Sequence, residues 1–202
     1  MSKTYYDTPL WDSSLSIEER LDYLLSEMTL EEKIQSMGTG NPEIERLGVP
    51  AFQVGGEAAH GVQGRHDRVF DVHEPDLTTI FQNPIGMSAS FDEELIRKAG
   101  KVVGTEVRGL YSREHEGILS VWAPTIDMER DPRWGRTEEA YGEDPLLTGK
   151  MAGAYVEGLQ GEDDQYLLTA ATLKHFYANN VEEGRVWKSS TVSPRNKWEY
   201  YL

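Results

Sequence analysis

The chain has 202 residues, enough for one ordinary core or for a large piece of a bigger domain such as an eight-stranded barrel. Its formal net charge of -15, from 35 acidic against 20 basic side chains, disfavours polyanionic partners such as nucleic acid or an acidic membrane face and suits a neutral ligand. With no cysteine it has no disulfides and no thiolate metal site, and with 38% hydrophobic and 27% charged residues it has the profile of a folded soluble protein.

The first residues, Met1 to Trp11, contain no apolar h-region, so no signal peptide is expected. No run reaches the roughly 18 apolar residues of a membrane span, and a cytoplasmic location is the default expectation. Ser16 with Glu19 forms a capping-box pattern, followed by Leu21, Leu24, Leu25 and Met28 on one helical face. Thr29 with Glu32 repeats the pattern, and Leu30, Ile34 and Met37 continue the stripe. Residues 12–37 therefore predict two short helices forming a structural lead-in.

From Val49 onward the pattern changes to four short apolar runs: Ala51 to Val54, Pro84 to Ala89, Ile118 to Pro124, and Leu167 to Leu173. Near-continuous apolar runs of this length read as strands covered on both faces. Between the second and third runs, a helix is expected with Ser90 and Glu93 at its start and Ile96, Ala99, Val103, Val107 and Leu110 on one face. Between the third and fourth, Asp144 and Pro145 open another helix that buries Leu147, Met151, Ala154 and Tyr155 and ends at Gly158 and Gly161. Strands alternating with helices predict an α/β fold with a parallel sheet of about four strands. A last helix begins at Ser193 and Pro194 and is still amphipathic at Leu202, which leads to the expectation of a fragment. No repeat, low-complexity tract or linker divides the 202 residues.

In parallel alternating folds, ligands sit at the carboxyl ends of the strands. After the first run come Glu57, His60 and Arg65; after the third, Asp127, Glu129, Arg130, Asp131, Arg133 and Arg136; after the fourth, Lys174, His175, Asn179, Asn180, Glu182 and Arg185. Carboxylates accept and Arg or Lys donate, so such a set suits a polyhydroxylated ligand. The segment from Arg130 to Arg136 alternates charges around Pro132 and Trp134 and reads more readily as a loop cross-braced by ion pairs than as a binding surface. His60, His66 and His73 raise a metal site, but Glu57 and His60 make E-x-x-H without the second histidine that places two ligands on one helical face, so no metal is expected. Gly55, Gly56, Gly61 and Gly64 do not match a dinucleotide-binding pattern.

Three stretches resemble family 3 glycoside hydrolases, the family of many β-glucosidases and β-xylosidases. They are MTLEEKIQSM at Met28 to Met37, DMERDPRWGRTEEAYGEDP at Asp127 to Pro145, and LKHFYANNVEEGR at Leu173 to Arg185. The resemblance implies roughly the first half of a (β/α)8 TIM-like barrel, about four strands with their helices, in a chain that is all one piece of a catalytic domain. It implies hydrolysis of O-glycosidic bonds in β-glucosides or β-xylosides with retention, with a carbohydrate as the partner molecule and no cofactor. Arg136, Lys174, His175 and Arg185 resemble the family's contacts to the sugar, where cationic and imidazole donors hold ring hydroxyls. Glu57 stands where many members carry an Asp that grips the same hydroxyls, and GGEAAHG resembles the E-A-x-H-G version of xylosidase-like members.

The family's nucleophile is an Asp in an S-D-W-like motif downstream of K-H-F, and its acid/base comes from a later segment. Neither occurs here, so no catalytic residue is expected within the chain, and the isolated chain is expected to be inactive. A half barrel would leave sheet edges open to the missing half or to self-association. A non-catalytic sugar-binding or interaction module built on the same fold is the alternative reading. Tyr177, Ala178, Asn179 and Asn180 stand where the N-acetylhexosaminidase branch has a P-G-H-G-like loop, which disfavours that branch.

Overall fold

The structure, a computed structural model, describes residues 5–38, 40–62, 77–114 and 118–202. Gly64, Arg65, His66 and His73 lie outside the described residues. The chain divides into two compact units, Met1–Val54 and Gly55–Leu202.

In the first unit, both capping boxes form. Ser16 Oγ accepts from the Glu19 amide while Glu19 Oε2 accepts from the Ser16 amide, opening helix α1 (Ile17–Glu27). Thr29 and Glu32 do the same for α2 (Leu30–Gln35). These reciprocal bonds satisfy amides that a helix start leaves without partners, which is why so short a helix as α2 holds. Arg46 reaches back to Glu32 and to the Glu27 carbonyl, tying the segment after α2 to both helices. Met28, Ile44 and Leu47 form a small core, with Leu24 and Val49 packed on it. The rest of the expected stripe, Leu21, Leu25, Leu30, Ile34 and Met37, is exposed. A two-residue strand β1 (Gly40–Asn41) pairs antiparallel with β2 (Phe52–Gly56), Gly40 opposite Gln53 and Asn41 opposite Phe52.

The second unit is a helix-on-sheet arrangement. Strand β3 (Ser120–Val121) pairs in parallel with β4 (Ala170–Ala171), Ser120 opposite Ala170, and the ladder continues as a bridge between Thr125 and Lys174. Helix α5 (Pro145–Gln160) makes the crossover between them. Asp144 caps it by accepting from the Leu147 amide at 2.7 Å, as its position before Pro145 predicts. Met151, Ala154 and Tyr155 are buried with Leu147 packed beside them. Helix α4 (Glu93–Glu114) contributes Ile96, Ala99, Val103 and Val107 to the same core, and β3 contributes Val121.

Three sequence expectations are corrected. Pro84 to Ala89 is not a strand: Pro84–Ser88 forms a short helix, α3, with Pro84, Met87 and Ser88 buried and Ile85 exposed. A short apolar run has no period long enough to separate strand from helix, and Pro84 at the first helical position favours the helix. The α4 cap is Asp92, not Ser90. Asp92 Oδ1 accepts from the Leu95 amide at 3.0 Å, and Phe91, with φ of 55°, turns the chain so that Ser90 belongs to the preceding turn. Finally, Gly158 lies inside α5, and only Gly161, with φ of 80°, ends it. No described helix is long and apolar enough to cross a membrane.

Candidate functional site

The segments that follow β2, β3 and β4 converge through side-chain bonds. Glu57 follows Gly56, whose carbonyl accepts from the Trp122 amide at 2.6 Å just beyond β3. Ile126 N–H donates to the Lys174 carbonyl at 2.7 Å, so the polar segments after β3 and β4 leave the sheet side by side. Two buried bonds brace this end. The Tyr155 hydroxyl of α5 donates to the Ala58 carbonyl at 2.7 Å, and Ser88 Oγ of α3 donates to the Tyr141 carbonyl at 2.6 Å.

Between these segments lies a cavity of about 430 Å³ whose polar lining includes Glu57, His60, Asn83, Arg136, Glu139 and Lys174. Lys174 Nζ donates to Glu57 Oε2 at 3.0 Å, and the lysine side chain is only 14% exposed. Arg136 makes a two-pronged contact with Glu139, Nε to Oε1 and Nη2 to Oε2, both at 2.7 Å. That contact holds the Glu139 carboxyl below its usual range, with the Arg136 guanidinium correspondingly raised. Each cation in the lining is therefore held by a carboxylate also in the lining. A neutral molecule rich in hydroxyls can bridge such pairs, because each hydroxyl both donates and accepts.

Of the five residues expected to hold a sugar, Glu57, Arg136 and Lys174 line the cavity. His175 stands behind Arg136, its Nε2 3.3 Å from Arg136 Nη1. Arg185 is half exposed and pairs with Glu182 at 2.8 Å. Glu182 also accepts from Trp134 Nε1 at 3.0 Å and lies 3.8 Å from Arg136. Burial pushes its carboxyl up, but the Trp134 bond and the charges of Arg136 and Arg185 outweigh burial and hold it low.

In the Arg130 to Arg136 loop the ion-pair bracing is seen, and Arg136 lines the cavity. Arg133 pairs with Asp131 and Arg130 with Asn180, so the loop is cross-braced, and the brace delivers Arg136 to the cavity. Sequence reasoning does not reach Asn83, Glu138 and Glu139, and it weighs His60 mainly as a metal ligand. Glu139 carries a readable signal, since it lies three residues after Arg136. The His60 ring is turned to the Phe81 carbonyl, its Nδ1 at 3.1 Å. Among the described residues no group of three His, Asp or Glu side chains is placed to hold a metal ion.

A second cavity, of about 450 Å³, is bordered by Glu129, Arg130, Thr137, Glu138 and Glu143. Burial, then the charges of Glu143 and Glu138, push the Glu129 carboxyl up to about 7, and its Oε1 has no hydrogen-bond partner among the described residues. Between pH 4.5 and about 7 the folded chain keeps a proton that the unfolded chain has released, so this group lowers stability as pH rises through that window. Glu129→Gln is expected to stabilise the fold by about 1 to 2 kcal/mol at about pH 8.5, allowing for partial exposure, and to change little at about pH 4. Urea unfolding at the two pH values measures this, and an equal effect at both would contradict it.

Comparison with known proteins identifies the family. Residues 29–196 match the model of the glycosyl hydrolase family 3 N terminal domain. An exo-1,4-β-xylosidase of Emericella nidulans is 38% identical over 201 residues, covering 97% of this chain and 26% of that protein. A β-xylosidase/α-L-arabinofuranosidase of Medicago sativa subsp. varia is 42% identical over 184 residues, covering 88% of this chain and 23% of that protein. Among solved structures, a family 3 exo-β-xylosidase bound to a xylobiose aziridine probe aligns with a TM-score of 0.77 at 35% identity, over 90% of this chain and 23% of that one. A β-glucosidase from Kluyveromyces marxianus in complex with glucose aligns with a TM-score of 0.76 at 33% identity, over 90% of this chain and 20% of that one.

The fold is that of a glycoside hydrolase catalytic domain in partial form, mixed α/β with a small open sheet that matches part of a TIM-like barrel. The chain belongs to glycoside hydrolase family 3. It spans about a quarter of the length of the curated relatives it matches.

Proposed function

We propose that this chain supplies most of the sugar pocket of a retaining β-glycosidase acting on β-xylosides or β-glucosides, with the nucleophile and acid/base contributed from outside residues 1–202. The observation that carries this reading is the cavity in which Glu57 with Lys174, and Glu139 with Arg136, present paired acceptors and donors at the strand ends. His175 and Arg185 stand behind this set, His175 against Arg136 and Arg185 against Glu182. The names of the relatives, which include xylosidases and glucosidases, support the substrate class. Retention requires two carboxyl groups about 5 to 5.5 Å apart across the scissile bond, one attacking the anomeric carbon and one protonating the departing oxygen. In this chain the nearby carboxylates of Glu57 and Glu139 are each committed to a cation, a role of holding rather than attacking.

The chain alone is expected to turn over no aryl β-glycoside above buffer. Joined to the remaining part of a family 3 catalytic region, it is expected to hydrolyse aryl β-xylosides or β-glucosides and to leave N-acetylglucosaminides untouched. Turnover by the chain alone, abolished by Glu57→Gln, would overturn the assignment. Sugar binding without turnover in the joined protein would instead favour a non-catalytic sugar-binding module. The sheet edges of the isolated chain are proposed to drive self-association, seen as concentration-dependent mass in sedimentation.

A further inference from the structure

We infer that Asp127 is a positioning residue: it locks His175 in the neutral tautomer with hydrogen on Nδ1 and, through the bare Nε2, orients the guanidinium of Arg136 at the cavity. The Asp127 side chain is 1% exposed. Its Oδ2 accepts twice from one residue, from His175 Nδ1 at 2.7 Å and from the His175 backbone amide at 3.3 Å. A ring nitrogen at that distance from a carboxylate oxygen must carry the hydrogen. On the other side of the ring, Nε2 lies 3.3 Å from Arg136 Nη1. A guanidinium only donates, so Nε2 must present its lone pair. The two contacts call for the same tautomer, and the shorter, charge-assisted one to Asp127 sets it, while the 3.3 Å contact to Arg136 follows from it. A second proton on Nε2 would set N–H against N–H and one cation beside another.

One further neighbour approaches the ring, and because an amide nitrogen only donates, it makes no hydrogen bond to a protonated Nδ1. Asn179 Nδ2 lies 3.4 Å from Nδ1, a marginal contact, and its amide also serves Glu182. Arg136 is then clamped from two directions, by Glu139 on Nε and Nη2 and by His175 on Nη1. A side chain with four rotatable bonds loses much freedom when ordered, and this double clamp removes it before a ligand arrives. Asp127 Oδ1 is buried and makes no hydrogen bond among the described residues. A carboxylate kept buried with one oxygen unpaired costs stability, which fits a group retained for its effect on a neighbour.

The tautomer is a property of this chain with no sugar present, whereas the use of Arg136 toward a sugar rests on the function proposed above. Long-range proton–nitrogen NMR of the chain at neutral pH tests it, with the His175 signals assigned by their loss in His175→Gln. The expected spectrum shows a protonated Nδ1 and a bare Nε2, and Asp127→Ala exchanges the two nitrogen shifts as the ring reverts to the Nε2–H form. A wild-type spectrum with hydrogen on Nε2, or on both nitrogens, overturns the inference without reference to any variant. Retention of the Nδ1–H signal in a folded Asp127→Ala also overturns it. A correct tautomer in a protein that fails every glycoside assay would overturn only the proposed function.

Discussion

Lys174→Ala, in a protein joining this chain to the remainder of a family 3 catalytic region, is expected to lower kcat/KM for an aryl β-xyloside by about tenfold to a hundredfold. Lys174 Nζ is within 3.0 Å of Glu57 and reaches the cavity from the end of β4, so its loss removes a charged donor and leaves a carboxylate without its cation. A hydrogen bond to a charged group contributes about 1.5 to 3 kcal/mol, which sets the range of the effect. If the sugar contact strengthens as the bond breaks, kcat falls with kcat/KM; if it is uniform, only KM rises. Steady-state kinetics separates the two. Unchanged kcat/KM in Lys174→Ala would show that this lysine only braces Glu57.

Gly158→Ala is expected to destabilise the fold by about 3 kcal/mol or more, at the upper end of what overpacking produces. A Cβ built at Gly158 would lie 2.1 Å from the Arg97 carbonyl oxygen and 2.7 Å from the Lys101 amide, both backbone atoms of α4 that no rotamer change can move. The approach is mutual, since a Cβ at Gly100 would lie 2.4 Å from the Tyr155 carbonyl oxygen. Separating the helices would loosen Tyr155, whose hydroxyl holds Ala58 next to Glu57. A Cβ at Gly153, in the same helix, would meet nothing within 4 Å. Gly153→Ala should therefore stabilise by about 0.5 to 1 kcal/mol through helix propensity alone. Denaturant midpoints of the two variants on opposite sides of the parent would bear this out, and a neutral Gly158→Ala would contradict it.

Local chemistry is legible in the sequence. The capping boxes at Ser16 and Thr29, the Asp144 cap and the buried face of α5 rest on spacings within one or two turns, and they form as read. Where a local signal is ambiguous the reading fails. The run from Pro84 suits a strand or a buried helix, and the Ser90 capping pattern loses to Asp92 because nothing local signals the positive φ of Phe91. The site divides in the same way. Residues at strand ends are singled out because topology places ligands there, and the family motifs rank them. Their pairing is not legible: Glu57 and Lys174 are 117 residues apart, and Asp127 and His175 are 48 apart, so no spacing rule links them. Gly158 reads as a helix end because glycine usually punctuates; its actual role, letting two backbones touch, depends on a partner helix that the local sequence does not contain.

The measurement that bears most directly on the central claim is a crystal structure of the joined protein soaked with xylose. The ring is expected between β2, β3 and β4 at their carboxyl ends, with its hydroxyls within hydrogen-bond distance of the Glu57 carboxylate, Lys174 Nζ and Arg136. A sugar bound elsewhere, with Lys174 and Glu57 still closed on each other and Arg136 facing only Glu139 and His175, would contradict the account.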